Sequence, residues 1–298
     1  MSVLGMYRNN NYTVTMMSDG TKIRAGVSGD FEPSFPESID IKISDRCDRG
    51  CLMCHESSTP SGGLADLSHP ILETLHPYTE LAVGGGNPLE HPGLGDFLVR
   101  MKNKGVICNM TVHLDHFCDS YELIKELAKV RGLVHGLGVS VTRRVTTEEV
   151  GLLKSIPNVV LHIIAGIMTN YTLFPITNRG FDVLVLGYKD FGRGSSFHEP
   201  SFYVDEKIEY MRNNIDQIFQ GFDHVSFDNI AISQLDIKNL LTNEDWNKLY
   251  MGDDGQFTMY IDLVKNEYAV SSVSERKSIP ENSTIDSLFA SVRSMRSN

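Results

Sequence analysis

The chain has 298 residues, of which 41% are hydrophobic and 22% are charged, and its 38 acidic residues against 27 lysines and arginines give a net charge of -11. These proportions are ordinary for a globular protein, and no stretch approaches the roughly 20 apolar residues of a membrane span, so a membrane protein is excluded. Because the negative charge repels a phosphate backbone, nucleic acid is not expected as a partner.

The N-terminus and the cysteines indicate a cellular compartment. No basic segment followed by an apolar one begins the chain, so no secretory signal is expected and a cytoplasmic location is predicted. The sequence has five cysteines, and three of them fall within eight positions, at Cys47, Cys51 and Cys54. An odd number with such close spacing is typical of a metal or cofactor site and not of a disulfide framework.

A β-hairpin is predicted first, with strands at Tyr12–Met17 and 21–24 around the turn at 18–20. After Pro33 and Pro36, apolar residues alternate with polar ones over 39–43, which indicates a strand that begins a new unit.

Strands and helices then alternate along the chain. The predicted strands are 81–83, Ile107–His113, 137–142, 159–167 and 181–187, and the predicted helices are 94–104, 121–131, 146–155 and 206–219. Such alternation predicts βαβ units with parallel strands. The expected fold class is therefore α/β, a full or partial (β/α) barrel of about the usual barrel length.

The last part of the chain predicts a short strand at Val225–Phe227 and a second hairpin with strands at 257–263 and 268–272. The expected organisation is an N-terminal hairpin appendage over 1–36, a barrel core over 37–235 and a C-terminal extension with a hairpin and a short tail over 236–298.

The three clustered cysteines directly follow the first barrel strand, which places them at the end of a barrel where catalytic groups lie. With Gly50 to bend the loop, the three thiolates can converge on one 4Fe-4S cluster. Such a cluster needs four ligands, so one iron is left for a ligand that is not protein. Two alternatives remain: a structural zinc site that also uses His55, and the haem attachment pattern that spans Cys51 to His55.

The spacing C-x3-C-x2-C after the first strand resembles the radical S-adenosylmethionine (radical SAM) superfamily, and the resemblance extends over roughly 38–190. It implies that SAM binds the open iron and is cleaved reductively, and that the resulting 5'-deoxyadenosyl radical abstracts a hydrogen atom from a substrate. It also implies a reductant such as flavodoxin or ferredoxin. Met53 stands where the family often has an aromatic residue, and Asn87 where it often has an acidic one.

The same resemblance implies a SAM site formed by loops at the ends of several strands. A glycine-rich turn follows the second strand, polar groups follow the fourth, and backbone and apolar positions follow the fifth and sixth. The residues expected to bind SAM are Gly84, Gly85, Gly86, Asn87, Ser140, Thr142, Arg143, Ile167, Gly187 and Tyr188.

His113, His116 and Cys118 crowd the loop after the third strand and are the candidate catalytic residues, with Cys118 a possible donor of a hydrogen atom to a product radical. The aperiodic segment 189–201 is a candidate substrate lid, and Asp228 is a further candidate for the pocket. No cysteine follows Cys118, so a single cluster is expected, without C-terminal auxiliary clusters.

The predicted function is therefore a radical SAM enzyme that acts on a peptide or protein side chain, or on a small metabolite or nucleotide. Two other classes remain open. A zinc-binding interaction module would bind zinc and ignore SAM, and a single-cluster electron carrier would hold the cluster without cleaving SAM.

Overall fold

The computed structural model describes residues 2–27, 30–199 and 203–296. Two sheets organise these ranges. An N-terminal antiparallel sheet has the order β1-β2-β3, and a ten-stranded sheet has the order β10-β9-β8-β7-β6-β5-β4-β11-β12-β13. Their strands are β1 Val3–Asn9, β2 Tyr12–Met17, β3 Lys22–Gly26, β4 Ser38–Ser44, β5 Glu80–Gly85, β6 Ile107–His113, β7 Leu137–Ser140, β8 Val159–Ile164, β9 Asp182–Leu186, β10 Val225–Phe227, β11 Thr258–Asp262, β12 Glu267–Ala269 and β13 Lys277–Ser278.

Helices connect the strands of the larger sheet. They are α1 Leu94–Asn103, α2 Leu114–Asp119, α3 Tyr121–Lys125 with a π-helical turn at Glu126–Val130, α4 Thr147–Ser155, α5 Asn170–Leu173, α6 Arg193–His198, α7 Tyr203–Asn213, α8 Ile215–Gly221, α9 Asn229–Gln234, α10 Asn243–Leu249 and α11 Ile285–Arg296. Short 3-10 turns lie at Pro70–Thr74, Pro88–Glu90 and Ile237–Leu240. Within the described ranges, no helix has the length and apolarity that a membrane span requires.

From β10 to β11 all neighbouring strands pair in parallel. The sheet does not close on itself in the described residues, so the expected α/β fold takes the form of a partial barrel. The C-terminal hairpin continues this sheet, because β11 pairs in parallel with β4 and β12 pairs antiparallel with β11.

The alternation of side chains along β4 explains how the sheet is packed. Ile39, Ile41 and Ile43 are buried and join one core with residues of α1 and α11, which defines the outer, helix-covered face. Asp40, on the opposite inner face, is exposed in the middle of the strand. The inner face therefore carries a polar side chain that the described residues leave accessible.

The predicted N-terminal hairpin is present as β2 and β3, and β1 adds a third strand to it. This sheet packs against the start of the larger one through a second small core of Tyr12, Val14, Met16 and Phe257. Arg24 and the hydroxyl of Tyr12 both bind the buried carboxylate of Glu37, at 2.8 and 2.7 Å. The appendage is thereby fixed to the core by a satisfied buried charge.

Candidate active site and cofactor site

The cysteine loop, residues 45–58, leaves the carboxyl end of β4. An isolated bridge pairs Arg46 with Thr59, and the amide of Cys47 donates to the Thr59 carbonyl at 2.9 Å. Gly50 adopts a φ of 60°, in the left-handed region that glycine enters without strain. The loop thus turns back on itself between its first and second cysteines, as expected.

Cys47, Cys51 and Cys54 are free and partly exposed. Burial raises the pKa of the Cys47 and Cys51 thiols, and negative charge on the neighbouring cysteines raises it further. Three thiols on one short loop are a donor set for a cation, since a bound metal converts such thiols to thiolates. The described residues therefore fit a thiolate-bound iron-sulfur cluster.

The glycine turn lies beside this loop. The amide of Gly86 donates to the Ser44 carbonyl and that of Asn87 to the Arg46 carbonyl, both at 2.6 Å. A methyl group on Gly86 would lie 2.2 Å from the Arg46 oxygen, whereas one on Gly84 would contact nothing within 4 Å. Gly86 thus allows the two loops to approach, and Gly84 borders open space at the end of β5, as a cradle for a cofactor requires.

The predicted lid segment binds the cysteine loop. Arg193, the first residue of α6, donates from its amide to the Cys54 carbonyl at 3.2 Å. Its guanidinium donates to the carbonyls of Cys51 at 3.1 Å and Ser58 at 2.8 Å. Residues 200–201 of the predicted segment lie outside the described residues. The described part of this segment therefore fixes the backbone of the cysteine loop through Arg193.

His116 lies close to Cys47. His113 is the last residue of β6. The Sγ of Cys47, a carboxylate oxygen of Asp48 and a ring nitrogen of His116 are all within 4.8 Å of one another. His116 Nε2 is 2.7 Å from Asp48 and accepts from Arg49 at 3.1 Å. His113 caps α2 and bonds with Thr142 at 2.8 Å, and burial lowers its pKa.

Cys118 belongs to an ion-pair network at the end of β6. Its Sγ lies 3.6 Å from Glu149, and burial, followed by the charge of Glu149, raises the pKa of the thiol to about 11. Arg143, expected to bind SAM, instead binds Asp115 through Nε at 2.9 Å and Glu149 at 2.7 Å. Its guanidinium is therefore committed within the protein in this structure.

The other expected SAM contacts are dispersed over the strand ends. Ser140 ends β7 on the inner face, and Ile167 lies in the turn after β8. Tyr188 is buried and donates its hydroxyl to the Gly194 carbonyl at 2.7 Å. The Gly187 amide donates to Asp228 at 2.9 Å, which places Asp228 at the same strand end.

A buried charge network at Lys42 was not recognised in the sequence. Lys42 is 2% exposed and contacts Asp45, Glu56 at 2.8 Å and Asp262 at 3.2 Å. The hydroxyl of Tyr260 also donates to Glu56, at 3.0 Å. The network joins the cysteine loop to β11. The signal available in the sequence was the position of Lys42 on the polar side of the alternating strand.

Comparison with solved structures identifies the fold. SuiB of Streptococcus suis bound to S-adenosylmethionine superposes with a TM-score of 0.58 at 12% identity, over 87% of this chain and 66% of that one. The TM-score is 0.53 for SuiB bound to the precursor peptide SuiA and 0.50 for SuiB alone. Both superpositions have 13% identity and extend over 80% of this chain and 60% of the SuiB chain. The chain thus spans two thirds or less of the SuiB chains.

No protein-family model and no curated protein sequence matches the chain. The comparison therefore rests on structure, and at these identities it concerns the fold. The chain thus shares its fold with SuiB, and this fold is the partial α/β barrel that the βα alternation predicts.

Proposed function

We propose that the chain is a radical SAM enzyme, in which Cys47, Cys51 and Cys54 hold a 4Fe-4S cluster and SAM occupies the space beside Gly84. The observation that carries the proposal is the set of three free thiols at the carboxyl end of β4, next to a glycine turn with open space. The fold shared with a protein crystallised with SAM supports it. A cytosolic location and a flavodoxin or ferredoxin as reductant belong to the same proposal.

When bound, the cluster and SAM would supply one-electron reduction and hydrogen-atom abstraction. The chain's own residues position the cysteine loop and the glycine turn. Arg193 fixes the carbonyls of Cys51 and Cys54, and Gly86 lets the glycine turn approach the cysteine loop. Cys118, with its pKa raised, stays protonated at neutral pH and can give a hydrogen atom to a substrate-derived radical.

A peptide is the substrate class we favour over a small metabolite. One of the similar structures is of SuiB bound to a precursor peptide, and that superposition extends over 80% of this chain. The inner face of the partial barrel also supports a peptide, since the described residues leave Asp40 exposed in the middle of β4. An extended segment can lie along such a face.

One observation favours a second function, a zinc site. Cys47, Asp48 and His116 place a sulfur, an oxygen and a nitrogen within 4.8 Å of one another, and zinc accepts all three ligand types. Zinc at this position would compete for Cys47 with the proposed cluster. The electron-carrier alternative needs the three cysteines but gives no reason for the space beside Gly84.

Anaerobic reconstitution of the full chain with iron and sulfide, reduction with dithionite and addition of SAM tests the proposal. We expect an iron-sulfur absorption band, about four irons per chain, and formation of 5'-deoxyadenosine. Cys54→Ala should lose both, and Cys108→Ala, a matched cysteine buried in the core, should keep both. A cluster without 5'-deoxyadenosine would support the electron carrier. Stoichiometric zinc that His116→Ala removes, with no cluster formed, would support the zinc site.

A further inference from the structure

Asp40 is a carboxylate without a partner among the residues that the structure describes. It lies in the middle of β4, where its register neighbours are Ala82 on β5 and Tyr260 on β11. Its side chain is exposed on the inner face and has no hydrogen bond or ion pair within the described residues. An accessible carboxylate on the inner face of the sheet, with no partner in the described residues, is available to bind a ligand.

The surroundings of Asp40 set the charge of a ligand. Although the Asp40 side chain is accessible, the protein atoms around the inner face desolvate it and raise its pKa; Lys189 opposes this, and Asp254, Asp228 and Glu56 raise it further. Lys189 lies beyond ion-pair distance and instead donates to Ser272 at 2.9 Å. A carboxylate surrounded by other carboxylates favours a positive charge over a second negative one.

Each neighbouring carboxylate is already bound within the protein. Glu56 pairs with Lys42, and Asp254 accepts from Asn229 at 2.6 Å. Asp228 caps α9 and accepts from the Gly187 amide. Asp40 is thus the member of this group with its hydrogen-bonding capacity still unused.

Three further polar side chains on the inner face lack partners among the described residues. They are Thr111 on β6, Ser140 on β7 and His162 on β8. His162 packs over Gly138, and burial lowers its pKa to about 4, so its imidazole is neutral at physiological pH. Two hydroxyls and a neutral imidazole offer hydrogen bonds without charge, as the polar parts of a peptide require.

We infer that the inner face binds the substrate through Asp40, which pairs with a cationic nitrogen: the ammonium or guanidinium of a lysine or arginine side chain in a peptide. The inference rests on the proposed function and names the substrate class of that same site. Thr111, Ser140 and His162 supply neutral hydrogen bonds to the rest of the peptide. Their arrangement selects basic peptides and rejects acidic ones.

The same charge arrangement gives the pH dependence. Binding of a cation stabilises the ionised form of Asp40, so the ligand displaces a proton from a carboxyl whose pKa is raised in the free protein. Affinity for a basic peptide therefore rises with pH through that pKa. Lys189, Asp228, Asp254 and Glu56 are the charged groups that face Asp40, and none of them is removed in the test below.

Calorimetric titration of the reconstituted, SAM-bound full chain with acetylated, amidated tripeptides tests the inference. The probes are Ala-Lys-Ala, Ala-Arg-Ala, Ala-Gln-Ala and Ala-Glu-Ala. We expect the two basic peptides to bind at least about tenfold more tightly than the glutamine peptide, as charge-assisted hydrogen bonds do. Asp40→Asn should abolish that preference and Asp40→Glu should retain part of it. Asp96→Asn, on the exposed face of α1, should leave it unchanged.

Equal affinity for the lysine and glutamine peptides, a preference that survives Asp40→Asn, or no measurable binding of any probe would overturn the inference. Thermal unfolding of each variant confirms that it folds. Binding is measured without turnover, which separates the two proposals. Failure to form 5'-deoxyadenosine would overturn the proposal of a radical SAM enzyme. If 5'-deoxyadenosine still forms but no Asp40-dependent preference for basic peptides is found, only the inference about Asp40 is overturned.

Discussion

The guanidinium Nε of Arg193 lies 3.1 Å from the carbonyl oxygen of Cys51, and its Nη1 lies 2.8 Å from that of Ser58. The first residue of a helix after β9 thereby holds the loop after β4. Two distant strand ends are joined at the backbone that carries the candidate ligands, so the conformation of the cysteine loop depends on residues some 140 positions later.

Removal of the Arg193 side chain tests this dependence. Arg193→Ala loses two hydrogen bonds of about 1 kcal/mol each, and we expect amides of the cysteine loop to exchange up to roughly thirtyfold faster in the metal-free protein. Arg193→Lys, which keeps the charge, should restore part of the protection. Arg212→Ala, an exposed arginine of α7, serves as the control. Unchanged amide exchange at residues 45–58 in Arg193→Ala would contradict the role of Arg193 in holding the cysteine loop.

The glycine turn allows a paired test. Gly86→Ala forces a methyl group against the Arg46 carbonyl and should lower the free energy of unfolding by about 2 kcal/mol. Gly84→Ala should fold normally and weaken SAM binding, since its methyl group enters open space. Thermal melts and equilibrium dialysis with SAM measure the two effects. Gly95→Ala, in α1 with no atom nearby, should be neutral or stabilising in both. Normal SAM affinity in Gly84→Ala would exclude Gly84 from the cradle.

Cys118 is expected to act after SAM cleavage. Cys118→Ala should still form 5'-deoxyadenosine but should lower product formation at least about tenfold, because a thiol with a pKa of about 11 is a hydrogen donor and not a thiolate. Product analysis by mass spectrometry with a peptide substrate measures this. Cys108→Ala, in the core, should keep both activities. Full product formation without the Cys118 thiol would reduce that residue to a structural role.

The Lys42 network predicts a large loss of stability. Lys42→Met removes the buried ammonium that Glu56 and Asp262 share, while Arg276 still pairs with Asp262 at 3.1 Å, so we expect a loss of about 3 kcal/mol. Denaturant unfolding of the metal-free protein measures the change. Lys248→Met removes an exposed helical pair with Glu244 and should cost no more than about 0.5 kcal/mol. Similar losses in the two variants would mean that the buried network does not stabilise the fold.

The lowered pKa of Glu149 predicts that the free energy of unfolding decreases in acid. Arg143 is the main cause that lowers the pKa of Glu149 from 4.5 to about 2. A depressed folded-state pKa contributes stability above pH 4.5, and that stability is lost as pH falls from 4.5 towards 2. After allowance for solvent screening we expect a loss of about 1 kcal/mol.

Urea unfolding between pH 2.5 and 6 (about the range in which the linkage acts) measures this loss against a matched variant. Glu149→Gln removes the charge yet can still form the capping box with Thr146. The acid dependence of that variant should therefore be flatter. Parallel curves for wild type and Glu149→Gln would refute the assignment to this carboxyl.

Local patterns were enough to predict much of the fold. Ile107–His113 and Val225–Phe227 form strands with the predicted bounds, because alternating apolar residues define a half-buried strand wherever it pairs. Strand β1 was missed, since Gly5 and Arg8 interrupt its apolar pattern. The π-helical turn at Glu126–Val130 also has no signal in the apolar spacing of the predicted helix.

Some parts of the candidate site were also predictable from the sequence, and others were not. The cysteine loop and the glycine turn are contiguous motifs, so their positions were predictable. Arg193 and Asp262 reach the cysteine loop region through contacts between distant parts of the chain. No periodicity encodes such pairs. The sequence shows Asp40 as a polar residue in an alternating strand, but only the arrangement of the sheet shows that its carboxylate has no partner among the described residues.

The parallel pairing of β11 with β4 has a consequence for the order of assembly. During synthesis the cysteine loop leaves the ribosome long before Tyr260 and Asp262, which complete the charge network around Lys42. Until then Glu56 and Lys42 remain at an unpaired sheet edge. The end of the sheet that carries the three cysteines is thus completed late in synthesis, and under the proposed function a cluster would enter the settled loop only after translation.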